Sequence, residues 1–593
     1  MMAGRARLAA CVQVMNRGDG SMPALKSRST RALALLAVIT ACAGATTAAA
    51  ALDPVRYPMA DLAVVKPVRE CASLASVDVS RQVGAATVVK SAEPVDDGKV
   101  AAYCRVKVEI EQGYAKLQLN LPRAAWTQRL LFGGGPPAQV AAGEMQTDQF
   151  ATVSWEDLGR RNHEDVFADN DQYRINSAYR SAHLQVLAAK AIVAAFYGQP
   201  QKFSYYNACS WPGREGMVLV QRYPADFDGV GSGCPPINFT INNGLFEAWN
   251  VLTNTGPDRQ PIITADKLPI LHQLALAQCD AADGATDGII SDPYACHLNV
   301  KAAQCRAGQD PATCLSAAQV HVAEELYRGA HDAQGNRLTP GGVLPGSELA
   351  WTSTIVPGPR NPTEPREQTT TAIRSQFNWP ALPKTWELGD LRFDRAAFES
   401  VTRLHPLWDA TYVDLSGFAA AGHKLILWQA LGDTNVLPSQ TVLYYEALRK
   451  AMGGAKADRF VRFYALPGVY HCGGGDGPVI TDLLPALMAW VERGVAPGAL
   501  AGAHVPRRPG PMQGAGDPNA APAAPDLTRP IYPWPFVAKY VGKGSVRDAA
   551  NFVPGPARPA PATLSRWLGA AFYEKQPVQW CTAATSLQCS PSP

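Results

Sequence analysis

The chain has 593 residues, 47% of them apolar and 18% charged, with a formal net charge of +3. This is ordinary globular composition, and the length suits two domains, since single cores stop growing near ~250–300 residues. With no dense Lys/Arg run there is no warrant for a nucleic-acid partner. Beyond the N-terminus no stretch approaches ~20 consecutive apolar residues, so no membrane span is expected and the expected partner is a small molecule.

Taken in chain order, Lys26, Arg28 and Arg31 precede the apolar run "ALALLAVITACAGATTAAAA", which reads as a signal peptide over residues 1–51, with 1–21 an extension upstream of Met22. Export to the periplasm or the exterior is expected. "ITAC", ending at Cys42, also fits a lipoprotein site, so a lipid anchor is the alternative. Once Cys11 and Cys42 are set aside, eleven cysteines remain. An oxidising compartment would pair most of them, and the odd number leaves at least one thiol free. Short spacings suggest Cys279 with Cys296, Cys305 with Cys314 and Cys581 with Cys589; Cys71 with Cys104 is plausible, and Cys234 is the expected free thiol.

From about 100 to 235, strand-like and helix-like segments alternate: "RVKVEIEQGYAKLQLNLP", "RLLFGGG", the helical "AYRSAHLQVLAAKAIVAAFYG", "FSYYNACS" and "REGMVLVQRYP". The pattern resumes with "KLILWQALGD", "LPSQTVLYYEALRKAMGG", "DRFVRFYALPG" and "TDLLPALMAWVERG". Such alternation predicts an α/β fold, a mostly parallel sheet covered by helices. The expected organisation is a catalytic domain in two parts, 52–240 and 421–593, with a lid inserted at 241–420, where regular periodicity is weak. Residues 505–530, rich in Pro and Ala, read as a surface loop.

The segment "YYNACSWPGREGMVLVQRYPADFDG" (205–229) supplies a strand, a serine and a helix, the layout of a nucleophile elbow. In that turn the serine is strained and its neighbours are small, because strand and helix backbones approach closely. Here Ala208 and Pro212 stand where Gly-x-Ser-x-Gly has its glycines. Ala208 adds one methyl group. Pro212 fixes its own φ near −65° and biases Trp211 away from the helical region, yet proline is tolerated in the first helical turn. Trp211 keeps the N–H that an oxyanion would need. A base and its orienter should follow in the order Ser, Asp, His. Asp433, after the strand "LILWQALGD", and His471, in the Gly-rich loop "YHCGGGDG", fit as loop residues at the carboxyl ends of strands. Taken singly, each could be a turn residue or a cap.

Cys209 directly precedes Ser210, and Cys472 directly follows His471. If serine and histidine come within hydrogen-bond reach, their neighbours can fall within the ~4.4–6.8 Å Cα separation that a disulfide spans. The pattern Cys-Ser, Asp, His-Cys, with "RYPADFDG", "GHKLILWQALGD", "PGVYHCGGGDGP" and "YVGKGSVRDAANF", resembles the tannase and feruloyl esterase family, which also includes mono(2-hydroxyethyl) terephthalate hydrolase. The resemblance implies an α/β-hydrolase fold with a large inserted lid, a Ser210–His471–Asp433 triad and ester hydrolysis through an acyl-enzyme. It also implies a second oxyanion N–H from the loop in "RLLFGGGPPAQV", which Gly134 or Gly135 could supply. Ala208 and Pro212 depart from the family's Gly-Cys-Ser-x-Gly-Gly.

In "CDAADGATDGIISDPYAC", Asp280, Asp283 and Asp287, with two glycines, put three carboxylates on one tight loop, a donor set suited to Ca²⁺; an ordinary solvated Asp/Gly turn is the alternative. The resemblance adds the carbonyls of Ala285 and Ile289 and makes the ion structural. Trp351, Phe377 and Trp379 are aromatic candidates for stacking an aromatic acid, with core packing as the competing role. Arg374 could meet a carboxylate or be solvated. The expected activity is exported hydrolysis of phenolic-acid esters such as feruloyl or galloyl esters. The alternatives are terephthalate-type or other non-phenolic esters, and an inactive ligand-binding relative.

Overall fold

The structure is a computed structural model that describes residues 57–591 apart from 97, 99–100, 112–114, 134–148, 156–166, 169, 353, 358–363, 507–523 and 584–585. The signal-peptide reading, Cys42, and the two loop glycines Gly134 and Gly135 all lie outside the described residues.

Nine strands form one sheet: β1 (Thr87–Val95), β2 (Tyr103–Ile110), β3 (Ala115–Pro122), β4 (Arg129–Gly133), β5 (Ala151–Trp155), β6 (Phe203–Cys209), β7 (Gly229–Gly233), β8 (Lys424–Ala430) and β9 (Val461–Leu466), in the order β1-β2-β3-β5-β4-β6-β7-β8-β9. β1, β2, β3 and β5 pair antiparallel. From β5 through β4, β6, β7 and β8 to β9 every pairing is parallel. The mixed sheet with its helices is that of an α/β hydrolase.

The parallel strands are apolar almost continuously because both of their faces are covered. Tyr206, Val230, Leu425, Leu427 and Phe463 point into one core, shared with the helices α1 (Ser181–Tyr197), α2 (Trp211–Arg222) and α5 (Pro438–Met452). Tyr205, Ile426 and Tyr464 point into the other, against α6 (Leu483–Arg493). This alternation of neighbouring residues between two cores is the period-two signature of a strand.

Between β7 and β8 the described residues contain no strand of a ladder, but they carry more helix than the weak sequence periodicity suggests. α3 (Leu268–Cys279) and α4 (Ala317–Arg328) pack through Leu268, Leu271, Val320, Ala323 and Leu326 into a core of their own, with Phe246, Trp351 and Leu437. Each is only 12 residues long and stands among short single-turn helices and loops, so its period is brief in the sequence. A second difference lies in the segment read as a loop over 505–530. Leu527–Ile531 is a strand, paired antiparallel with Leu500–His504, and its residues alternate between buried and half-buried. Among the described residues no helix is long and apolar enough to cross a membrane.

The elbow region is held by backbone contact. A Cβ on Gly213 would sit 2.3 Å from the Gly233 carbonyl oxygen, and one on Gly233 would sit 2.0 Å from the Trp428 ring. Gly213→Ala is therefore expected to destabilise the fold by about 3 kcal/mol, since backbone, unlike a side-chain end, cannot swing away. Calorimetry checks this; an unchanged unfolding temperature would contradict the close approach.

Candidate active site

β6 ends at Cys209, and Ser210 turns the chain at φ 71°, ψ −135°, a left-handed conformation that is costly for a residue with a side chain. The Ser210 N–H donates to the Gly233 carbonyl at 2.8 Å, and the Ser210 carbonyl accepts from Arg214 N–H at 2.9 Å as α2 starts. Pro212 occupies the first turn of α2, where a missing N–H costs the helix nothing, and its carbonyl accepts the Tyr206 hydroxyl at 2.6 Å. The Trp211 indole N–H donates to Glu215 at 2.8 Å, and its ring sits 4.6 Å from that of Phe239.

Asp433 follows β8 and is fully buried. One carboxylate oxygen accepts the backbone N–H groups of Asn435 and Val436, both at 2.9 Å, which fixes the group's plane. The other accepts from His471 Nδ1 at 2.8 Å and from Gln429 Nε2 at 3.4 Å. Gln429 is itself held by the Thr441 hydroxyl at 2.8 Å. With Nδ1 donating to the carboxylate, Nε2 of the neutral ring is the acceptor, and the Ser210 hydroxyl lies 2.8 Å from it. Serine, imidazole and carboxylate thus form one continuous relay, with its hydroxyl end half-buried and its carboxylate end sealed.

The loop that carries His471 follows β9 and is built on positive φ values at Gly468, Cys472, Gly473, Gly474 and Gly475. The Val469 carbonyl accepts the Gly432 N–H at 2.9 Å, coupling this loop directly to the one that carries Asp433. Cys209 and Cys472 are joined in a disulfide with a Cα separation of 5.9 Å across 263 residues of sequence. The pairs Cys71–Cys104, Cys279–Cys296, Cys305–Cys314 and Cys581–Cys589 are also bonded, and Cys234 is a buried free thiol.

On the acidic loop, Asp280 accepts the N–H groups of Asp287 and Gly288, Asp283 accepts that of Ala285 and the Ser291 hydroxyl, and Asp287 accepts that of Ile289. The second oxygen of Asp287 is paired with Arg529, a partner 242 residues away. Burial first, and the nearby Asp287 and Asp283 charges after it, push the Asp280 carboxyl above its usual range, against the backbone N–H bonds that oppose the shift. Sets of three or more His, Cys, Asp or Glu ligand atoms within 4.8 Å of one another occur, among the described residues, at Cys209/Cys234/Cys472 and Cys234/Asp433/His471, not at this loop. Carboxylate oxygens are the donor type of a hard cation, but here they are held by backbone N–H groups, Ser291 and Arg529 and are not gathered within 4.8 Å of one another.

The aromatic candidates fall in three different places. Trp351 is fully buried in the core between α3 and α4, with its indole N–H on the Ser347 hydroxyl at 3.0 Å, so core packing accounts for it. Phe377 is fully buried too, but its ring is 5.1 Å from Phe239, the ring that contacts Trp211. Trp379 is half-buried, with the Arg403 guanidinium 5.9 Å from its ring centroid. Arg374 donates to the Lys384 carbonyl at 3.3 Å. Gln429 and Arg529 were not singled out in the sequence. Nothing local marks either one, because their partners are set by tertiary contact.

A family model described as tannase and feruloyl esterase matches residues 104–554. Over 516 residues the chain is 30% identical to the mono(2-hydroxyethyl) terephthalate hydrolase of Piscinibacter sakaiensis, a span covering 74% of this chain and 81% of that protein. It is also 30% identical over 420 residues to an Aspergillus flavus protein named probable feruloyl esterase B-1, covering 67% and 74%. The crystal structure of feruloyl esterase B from Aspergillus oryzae superposes with a TM-score of 0.68 at 25% identity, covering 82% of this chain and 99% of that one. Tannin acyl hydrolase from Aspergillus niger shares the fold, with a TM-score of 0.60 at 20% identity over 83% and 93% of the two chains.

The bridge between Cys209 and Cys472 generates a prediction. Replacing both cysteines by alanine should lower stability by as much as about 5 kcal/mol, from the entropy of the long loop it closes. It should also reduce kcat more than it raises KM, because Ser210 and His471 lose their covalent tie. Thermal unfolding and steady-state kinetics measure the two effects, and a double variant with unchanged kcat would show that the hydrogen bonds alone align the pair.

Proposed function

The chain belongs to the tannase and feruloyl esterase family and is a carboxylic ester hydrolase, and from that premise we propose that it cleaves esters of aromatic phenolic acids through an acyl-enzyme on Ser210. The observation that carries this reading is the unbroken set of contacts Ser210–His471–Asp433, each 2.8 Å long, on a serine strained at the end of a parallel strand.

The chemistry follows from the tautomer. Ser210 Oγ attacks the ester carbonyl as its proton passes to Nε2, and the imidazolium so formed is stabilised by the buried Asp433 carboxylate. The oxyanion of the tetrahedral intermediate is held by the Trp211 backbone N–H at the start of α2, with Gly134 or Gly135 as the proposed second donor. Nε2 then gives its proton to the departing alkoxide, and the alcohol leaves. Water, deprotonated by the same nitrogen, releases the acid and restores Ser210. The Asn435 and Val436 N–H groups and Gln429 hold the Asp433 carboxylate in plane, which holds the ring in the productive tautomer.

Feruloyl and galloyl esters are the first substrate class, in keeping with the family. The Piscinibacter sakaiensis relative, similar along most of the chain, favours mono(2-hydroxyethyl) terephthalate as the second. The five disulfides among the described residues support an exported protein.

A structural calcium ion is part of the proposal. The carboxylates of Asp280, Asp283 and Asp287 and the carbonyls of Ala285 and Ile289 would hold it, and its charge would offset the burial, and the lesser repulsion from Asp287 and Asp283, that raise the Asp280 carboxyl. The ion would brace the loop clamped by Cys279 and Cys296 and takes no part in the hydrolytic steps.

Two measurements test these readings. Purified protein should hydrolyse methyl ferulate, methyl gallate or mono(2-hydroxyethyl) terephthalate, and Ser210→Ala should lose about 10⁴-fold or more in kcat with no change in unfolding temperature. Equal turnover by Ser210→Ala would remove it from the mechanism. Treatment with a calcium chelator should lower the unfolding temperature of the wild type and leave that of Asp283→Asn unmoved; no shift in the wild type would reduce the loop to an ordinary Asp/Gly turn.

A further inference from the structure

β7, β8 and β9 lie side by side and parallel, so the residues that follow them emerge at one edge of the sheet. Those residues include Asp433, His471 and Cys234. Cys234 comes directly after β7 at φ 39°, an unusual conformation for a residue with a side chain, and its N–H donates to the Trp428 carbonyl at 2.9 Å. Its thiol is free and fully buried. The Cys234 sulfur, a carboxylate oxygen of Asp433 and a ring nitrogen of His471 all lie within 4.8 Å of one another.

We propose that Cys234, Asp433 and His471 form a site for a thiophilic divalent cation such as Zn²⁺, and that the bound ion switches ester hydrolysis off. Zinc takes thiolate, imidazole and carboxylate ligands at ~2.0–2.3 Å in tetrahedral geometry, and three protein ligands leave one position for water. Tetrahedral bonds of that length put ligand atoms ~3.3–3.6 Å apart; His471 Nδ1 and the Asp433 oxygen, now 2.8 Å apart, would open slightly to admit the ion, and the Cys234 sulfur, within 4.8 Å of the ring and the carboxylate, would close on it. A thiolate ligand favours Zn²⁺ over Mg²⁺ and Ca²⁺, which separates this site from the oxygen-lined loop at Asp280. The Asn435 and Val436 N–H groups already fix one carboxylate oxygen of Asp433, leaving the oxygen that faces His471 for the ion. Burial and the Asp433 charge push the Cys234 thiol well above its usual range, so the resting group is protonated and the ion must displace that proton to solvent.

The inhibition follows from proton bookkeeping. The ion takes the Nδ1 lone pair, the imidazole proton moves from Nδ1 to Nε2, and Nε2 can no longer accept the Ser210 proton. One proton leaves Cys234, no bond to carbon changes and nothing is oxidised. This inference rests on His471 as the base proposed above.

The test is run on the whole protein with calcium in excess. Zn²⁺ should lower the rate of hydrolysis of the best ester substrate, and a zinc-selective chelator should restore it. Cys234→Ser, or Cys234→Ala if the serine variant does not fold, should keep basal activity and need at least about tenfold more Zn²⁺ for the same inhibition. Independently of turnover, Co²⁺ should give a near-ultraviolet thiolate-to-metal charge-transfer band in the wild type and in Ser210→Ala, and none in the Cys234 variants. Equal zinc sensitivity of wild type and variant, or no thiolate band in the wild type, would overturn the proposal. A Co²⁺ band in a protein that turns over no ester would support the metal site and count against the assignment of Ser210 and His471 instead.

Discussion

The constraint on which this site depends is the disulfide between Cys209 and Cys472. Ser210 and His471 belong to segments 261 residues apart, each in a strained loop, and a hydrogen bond of 2.8 Å alone would have to hold both in register. The bridge joins their immediate neighbours, so the two loops are fixed as one unit before any polar contact is counted. Two backbone hydrogen bonds extend that unit in opposite directions. Ser210 N–H to Gly233 anchors the serine to β7, and Gly432 N–H to Val469 anchors the loop of Asp433 to that of His471. Geometry needed to within a few tenths of an ångström is thereby set by covalent and backbone forces, and the side chains only finish it.

This arrangement explains how the elbow tolerates Ala208 and Pro212. A glycine is required where backbone meets backbone, and in this chain that place is Gly213, against the Gly233 carbonyl. Pro212 sits one residue earlier, inside the first turn of α2, and its carbonyl is used by Tyr206. Ala208 is buried on β6 without disturbing the pairing to β7. Neither substitution removes an N–H that the strand or the helix needs.

The parallel strands were legible because burial on both faces writes a continuous apolar run, and the turn chemistry between them is punctuated by glycine and proline. The order of Ser210, Asp433 and His471 was legible because each follows a strand. The flanking cysteines supplied what spacing alone could not, a reason for two distant loops to meet. What stayed hidden depends on contacts between residues far apart in sequence. Gln429 looks like any strand residue until Asp433 folds back onto it, and Arg529 lies in a stretch read as loop until it pairs with Asp287. For Trp351 the sequence leaves stacking and core packing both open, and the α3–α4 core that encloses it decides for packing. Gly134 and Gly135 rest on the resemblance alone. The odd cysteine number leaves Cys234 as the expected free thiol, yet its neighbours are set only by the side-by-side packing of β7, β8 and β9.

The most direct test of the account is covalent. After reaction with a fluorophosphonate, the intact protein should gain the mass of a single phosphonyl group, and peptide mapping should locate it on Ser210. Labelling should slow by orders of magnitude in His471→Ala, because the hydroxyl then has no base. A stable, folded protein that takes up no label, or takes it up at another residue, would contradict the claim that the bridged Ser210–His471–Asp433 unit is the hydrolytic centre.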